Sequence, residues 1–389
     1  MKKILIVNNN MKIGGVQKSL YNLLWTVAGK YDVTLLLFRA AGEYMDKIPD
    51  SVKVMECTSL FRYLGISQGE CKGPAEKLSR GILAGLSKIF GRALVMKLLF
   101  LTQRKLPETY DCAISFLHNG RPEAFYGGVQ DFVLNCVRAQ KKVAFLHCDY
   151  QNCGANHPSN NRMLGKFDVI AACSDGCRNA FVQVLPELAD KCVTVRNFHR
   201  IEQIRDLSAQ EPVRYDERMV NIVMVSRLAH EKGIDRAITA VTRLYQKGMP
   251  VRLHIVGSGP EEAALKKMVD QLKAADTVVF CGQQENPYRL MKNADLFLMT
   301  SYHEAAPMVI EEACCLGLPV LTMQTTSSVE MVTDAACGWV CENDQSALEN
   351  TLEELLLHSD TIRQVKKRLS SIPMDNRIAM AQFAELVEG

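Results

Sequence analysis

Within Met299–Thr322, MTSYHEAAPMVIEEACCLGLPVLT, two glutamates stand where their spacing could do chemistry. Glu304 precedes a short predicted helix and Glu312 lies on it, with seven residues between them. Helical neighbours are turned by about 100°, so Glu311 and Glu312 cannot face the same way. A carboxylate on an otherwise apolar helix is costly without partners, so Glu312 is expected to bond something. A pair of solvated glutamates is the plainer alternative. A second set follows the apolar run Asn221–Val225, as Ser226-Arg227-Leu228-Ala229-His230-Glu231-Lys232-Gly233. Two cations at that spacing, after a strand and ahead of a helix, suit a bound anion; surface ion pairing is the alternative. His118 and His147 each follow a further apolar run. Either is structural or reactive, and Asp149 could orient an imidazole, bond hydroxyl groups or stand in solvent. Glycine-bearing loops complete the set. Gly14-Gly15-Val16-Gln17-Lys18 lacks the Gly-Lys-Ser/Thr ending of a P-loop, and Gly257-Ser258-Gly259-Pro260 lacks the third glycine of a dinucleotide fingerprint. Tight turns without a ligand remain open for both, and for Gly282-Gln283-Gln284.

The elements that must position these residues alternate. Lys3–Asn8 (KILIVN) reads as a buried strand, and a helix begins near Val16 or Gln17. Asp32–Phe38, Cys112–Phe116, Val143–Leu146 and Val169–Cys173 read as further strands separated by helical stretches. The second half repeats the scheme. Strands at Val220–Val225, Arg252–Val256, Val278–Cys281, Asp295–Thr300, Pro319–Thr322 and Gly338–Val340 alternate with helices at Ile234–Gln246 and near Glu261–Lys273. Pro307 suits a first helical position, with Gly317 and Pro319 as the stop. Alternation of this kind predicts two mostly parallel, doubly wound α/β domains with ligands at the carboxyl ends of the strands. One polar helix, Asp344–Leu369, and a tail with Pro373 are expected to end the chain.

The pattern Glu304-x-x-Pro307…Glu312, then Gly317-x-Pro319-Val320, with Arg227…Glu231-Lys232-Gly233 upstream, resembles the donor-binding signature of retaining GT-B glycosyltransferases, specifically glycosyltransferase family 4. The resemblance is strong from about residue 221 to 332 and loose over 1–200. It implies two Rossmann-like domains facing a deep cleft. An acceptor-binding domain would occupy 1–200, a nucleotide-sugar domain 201–370, and a tail of about 371–389 would pack back on the first. It places Glu304 beside the donor sugar, Glu312 on the ribose hydroxyls, the amides near Met308 and Val309 on the diphosphate, and Arg227 and Lys232 as its clamp. Gly14, Gly15, Gly257, Gly282 and Ala305 would line the donor site. His147 would sit at the reacting centre with Glu304, Arg227 and Lys232, and Gln17, His118 and Asp149 on the acceptor side. Ala305 stands where the family usually has glycine; if the loop needs a positive φ, alanine costs about 1 kcal/mol there.

Composition narrows the classes. The chain has 389 residues, 48% hydrophobic and 23% charged, as expected for globular domains. The first 196 residues hold 26 Lys+Arg and 16 Asp+Glu, net +10, leaving 20 and 27, net −7, for the rest. A basic first half points to an anionic surface or acceptor, and sparse, uninterleaved aromatics argue against nucleic acid. The fourteen cysteines include no Cys-x-x-Cys pair; those within apolar runs, Cys148, Cys281, Cys314 and Cys315, read as reduced core residues of a cytosolic protein, and no metal or cofactor is expected. The absence of Asp-x-Asp agrees with metal-independent transfer. Lys77–Lys105 holds seven Lys/Arg and no Asp or Glu at helical apolar spacing. It could lie in an anionic membrane interface or pack on the sheet with its lysines in water.

These expectations join in a retaining hexosyltransferase that moves sugar from a nucleotide diphosphate to a hydroxyl of a glycan or lipid-linked acceptor. Its setting would be capsular, exopolysaccharide or other envelope synthesis, in the cytoplasm or on the inner face of the cytoplasmic membrane. A catalytically silent sugar-nucleotide-binding scaffold and a sugar phosphorylase are the alternatives.

Overall fold

The computed structural model describes residues 1–121 and 124–389. The chain divides into two compact units, Met1–Phe198 with Asn376–Gly389, and His199–Asp375. The first holds seven strands: β1 Lys3–Asn8, β2 Asp32–Leu37, β3 Lys53–Glu56, β4 Thr109–Ser115, β5 Arg138–Leu146, β6 Val169–Ala172 and β7 Cys192–Thr194. They form one parallel sheet in the order β3-β2-β1-β4-β5-β6-β7. The second holds β8 Val220–Val225, β9 Val251–Val256, β10 Val278–Gly282, β11 Leu296–Met299, β12 Val320–Met323 and β13 Gly338–Cys341. Their order is β10-β9-β8-β11-β12-β13, again parallel throughout. Each order reverses direction beside its first strand, so the ends of β1 and β4, and of β8 and β11, flank a switch point. The expected doubly wound α/β class is what each unit shows.

Alternation builds the second core. Ile222, Met224, Leu296, Leu298, Leu321 and Met323 enter one apolar cluster, and Val223, Phe297, Met299 and Val320 enter another. Successive strand residues point to opposite faces, so continuous apolar runs mark a sheet covered on both sides. In the first unit the final helix, Arg377–Glu388, puts Ala379, Phe383, Leu386 and Val387 into the core with Ile4, Ile6, Val33 and Leu35. Lys2 Nζ donates to Val387 O at 3.0 Å, and Tyr31 Oη to Glu388 Oε1 at 2.8 Å.

Several expectations change. β3 and β7 escaped the reading because their short runs, KVME and CVT, are only partly buried edge strands. The basic stretch is two helices, Pro74–Phe90 and Arg92–Leu101, broken where Gly91 takes a φ of 77°. The polar C-terminal helix is likewise two, Gln345–Leu357 and Ser359–Leu369, with His358 at φ −115°, ψ 49° between them. Pro307 is the N-cap rather than the first helical residue, since its ψ of 113° is extended.

Candidate functional site

In the second unit, Lys232 and Glu304, a cation and a carboxylate singled out in the sequence, meet beyond β8 and β11. β8 ends at Val225, and a single turn at His230–Lys232 leads to Gly233 and the helix Ile234–Gln246. Gly233 takes a φ of 57°, and a Cβ there would lie 2.3 Å from Thr300 O. This close approach needs glycine, and it brings Lys232 against the end of β11. Thr300 Oγ1 locks the contact by donating to Gly233 O at 2.7 Å. Lys232 Nζ then bonds Glu304 Oε1 at 2.5 Å, with Ser301 Oγ donating to the same oxygen at 2.9 Å. Arg227 is exposed and pairs with Glu231.

Gly257 makes the corresponding approach beyond β9. Its φ is 140°, and a Cβ would stand 1.9 Å from Ser226 O. Leu228 N donates to Ser258 O at 2.9 Å, so the Gly257–Pro260 loop clamps the segment carrying Arg227. Ser258 Oγ donates to Gln283 Oε1 at 2.6 Å, which ties in the loop after Gly282. These glycines therefore have a backbone duty, whatever they line.

Glu304 stands in the loop ahead of the helix Met308–Cys315 and Glu312 upon it. Glu312 is 3% exposed, whereas Glu311 turns aside and pairs with the buried His199, as the 100° step requires. Pro307 offers no side-chain cap, which leaves the amides of Met308 and Val309 without intrahelical acceptors. Ala305 is not among the residues of positive φ, so the expected strain at that position is absent.

Sequence reasoning missed the residues that brace this loop. Asn343 Nδ2 donates to Gln324 O at 2.8 Å and reaches Tyr302 O at 3.3 Å, while its Oδ1 accepts from Arg236 Nη1 at 2.7 Å. Arg236, 7% exposed, lies 4.7 Å over the Tyr302 ring, and His230 stacks on the same ring. A buried arginine on a helix face was the one available signal, and it has no spacing rule.

In the first unit, Gly14 caps the helix Gly15–Val27 in extended backbone, and a Cβ on Gly15 would meet nothing within 4 Å. Gln17 Nε2 reaches Asn9 Oδ1 at 3.4 Å. Asn8, Asn9 and Asn10 are buried, and Asn10 Nδ2 donates to Gly65 O at 2.8 Å. The triple asparagine at a strand end was the signal for this anchored loop.

His147 is the first residue beyond β5, and His118 lies three beyond β4. The parallel register, Ser115 opposite Ala144, sends both to one end of the sheet. Burial, aided by His118, pushes the His147 imidazole down to about 3; burial pushes His118 down to about 4. Both rings are therefore neutral near pH 7. His147 packs on Phe116 with centroids 4.6 Å apart. Asp149 is buried, and its carboxylate accepts from Gln151 N at 3.1 Å, Asn152 N at 3.2 Å and Asn152 Nδ2 at 2.7 Å. It holds its own turn rather than standing in solvent. That turn returns Cys153 toward Cys148, and His118, Cys148 and Cys153 bring ligand atoms within 4.8 Å of one another. Pattern along the chain does not reveal this group, because His118 and Cys148 reach it from beyond different strands.

The geometry of the second unit meets a sequence-family match. Residues 208–370 fit the model of the glycosyl transferases group 1 family. WcaL of Escherichia coli, a putative colanic acid biosynthesis glycosyltransferase, is 31% identical over 167 residues, 40% of this chain and 41% of the relative. The N-acetyl-alpha-D-glucosaminyl L-malate synthase of Bacillus anthracis is 25% identical over 59% of this chain and 61% of its own. The matches thus span about two fifths to three fifths of these relatives. Among solved structures, Anabaena HepE in complex with UDP and glucose aligns over 100% of both chains with a TM-score of 0.68 and 21% identity. At that identity the likeness is one of fold, and the fold is GT-B.

Proposed function

We propose that this chain is a retaining, metal-independent glycosyltransferase of family 4. It would move a hexose from a nucleotide-diphosphate sugar to a hydroxyl of a glycan or lipid-linked acceptor in envelope polysaccharide synthesis. The observation that carries the reading is the convergence of Lys232 and Glu304, with Arg227 and Glu312 on the same strand-end loops and helix, in the segment that fits the family. Arg227 and Lys232 would hold the diphosphate beside the amides of Met308 and Val309, where anions are favoured. Charge growing on the leaving nucleotide would be met there, so the cations do the work a metal otherwise does. Lys232 then exchanges Glu304 for phosphate and frees the carboxylate for the sugar. Glu312 would accept from the ribose. Attack from the face the nucleotide leaves forms the new C–O bond as the old one breaks, and the departing phosphate oxygen takes the acceptor proton. His147, Gln17, Gly14 and Gly15 would serve the sugar and acceptor from the first unit. Uridine is the base to test first, since HepE is seen with UDP.

The acceptor's setting is proposed from the basic helix pair. Ile82, Ile89, Phe90, Leu94 and Leu101 are exposed, as are Lys88 and Lys97 on the same helices, while Arg92 pairs with Asp131; exposed apolar and cationic side chains together suit an anionic membrane interface. No helix among the described residues is long and apolar enough to cross a membrane. Co-sedimentation with phosphatidylglycerol vesicles, abolished by Ile89→Asp with Phe90→Asp, tests that part.

The decisive experiment is thermal stabilisation by UDP, GDP, ADP and their sugar conjugates, on wild type and Glu312→Ala. A ligand at 100 times its Kd adds ~2.7 kcal/mol. A base-selective shift lost in the variant is expected. No shift with any nucleotide overturns the reading.

A further inference from the structure

The first unit carries a group of side chains of which the transfer reading uses only His118, on the acceptor side. His118 enters from beyond β4, Cys148 from beyond β5, and Cys153 from the turn that Asp149 organises, with Cys153 N donating to Asp149 O at 2.9 Å. One ligand atom from each lies within 4.8 Å of the others. His118 Nδ1 is buried without a hydrogen-bond partner among the described residues. An orphaned ring nitrogen is costly unless something not yet bound completes it. Cys148 is buried and Cys153 exposed, so the group is walled on one side and open to solvent on the other.

We propose that His118, Cys148 and Cys153 bind one zinc ion. The two cysteines are separated by four residues, within the two to four usual for zinc-binding pairs, and two thiolates with one imidazole suit zinc over hard cations. Zinc takes sulfur at about 2.3 Å and nitrogen at about 2.1 Å in a tetrahedron, which puts ligand atoms about 3.5–3.8 Å apart. The side chains need to close by about 1 Å at most, and the exposed Cys153 can rotate to do so. Three protein ligands leave a fourth position for water or a solute on the open side. The ion would fasten the loops beyond β4 and β5 to each other and fix the segment that begins at His147. None of Arg227, Lys232, Glu304 and Glu312 takes part, so the site stands or falls apart from donor binding.

The test uses the full chain, dialysed against a chelator and re-equilibrated with zinc at micromolar concentration, with metal counted by mass spectrometry. About one zinc per chain is expected for wild type and for Cys173→Ser, a nearby buried cysteine outside the set. Cys153→Ser, Cys148→Ser and His118→Ala should each bind at least tenfold more weakly. Cobalt in place of zinc should give the visible absorption of tetrahedral thiolate coordination in wild type, and lose it in Cys153→Ser. Because Cys153 is exposed, its serine variant should melt like wild type without metal, which separates lost ligation from lost fold. Less than a tenth of an equivalent in wild type overturns the proposal. So does equal zinc in wild type and Cys153→Ser, or loss of the two thiols to a Cys148–Cys153 disulfide under reducing conditions with no metal bound.

Discussion

The loop after β1 and the loop after β9 both join a strand to a helix and both carry glycine, but they carry it for different reasons. At Gly257 a Cβ would fall 1.9 Å from a carbonyl oxygen, while at Gly15 it would meet nothing within 4 Å. The second unit's loops are wedged together by backbone contacts, so the residues that hold Arg227 and Lys232 are also those that let the unit fold. The first unit's loop is held by side chains, Asn9 to Gln17 and Asn10 to Gly65, and Gly15, where its helix opens, has room for a Cβ. Where site and fold share residues, local sequence carries both. Where they are separate, the site depends on what distant segments bring.

Substitutions can break this contrast. Lys232→Ala should reduce transfer by 100-fold or more, about 3 kcal/mol of barrier, with the far-ultraviolet circular dichroism unchanged; activity within fivefold of wild type would remove Lys232 from the diphosphate. Gly257→Ala should lower unfolding stability by about 3 kcal/mol, read from the denaturant midpoint, and take nucleotide binding with it. Acid offers a third probe. Burial, with Arg252 adding to it, pushes His254 down to about 4. The unfolded chain then binds a proton near pH 6.5 that the folded chain refuses. Stability is therefore complete above about pH 6.5 and is lost as pH falls toward 4, by up to about 1.4 kcal/mol per pH unit. Comparing denaturation at pH 7 and pH 5 should show the slope, and His254→Asn should reduce it without abolishing it, since His118 and His147 are pushed down in the same sense. The smallest effect belongs to Gly15→Ala, expected to change stability by less than about 1 kcal/mol. A loss as large as that of Gly257→Ala would erase the distinction between the two loops.

Much of the second unit was legible from residues alone. Val220–Val225 and Ile234–Gln246 stand where the pattern put them, because strand and helix periods are properties of a dozen neighbouring residues. The split at Gly91 was missed because one glycine inside a helical pattern is tolerated elsewhere, and only its φ of 77° shows that it ends a helix here. Arg236 and Asn343 were missed because 107 residues separate them and no local rule links such a pair.

Sequence by itself determined the alternating α/β architecture of both units and set which charged residues the Arg227–Lys232 and Glu304–Glu312 segments carry, since each rests on short-range pattern and residue type. Tertiary structure decided that Lys232 meets Glu304 and that His118 stands beside Cys148 and Cys153. Those outcomes follow from strand order. β4 lies next to β5, and β8 next to β11, only after the sheets have formed, and the convergence of side chains from remote segments has no period to read.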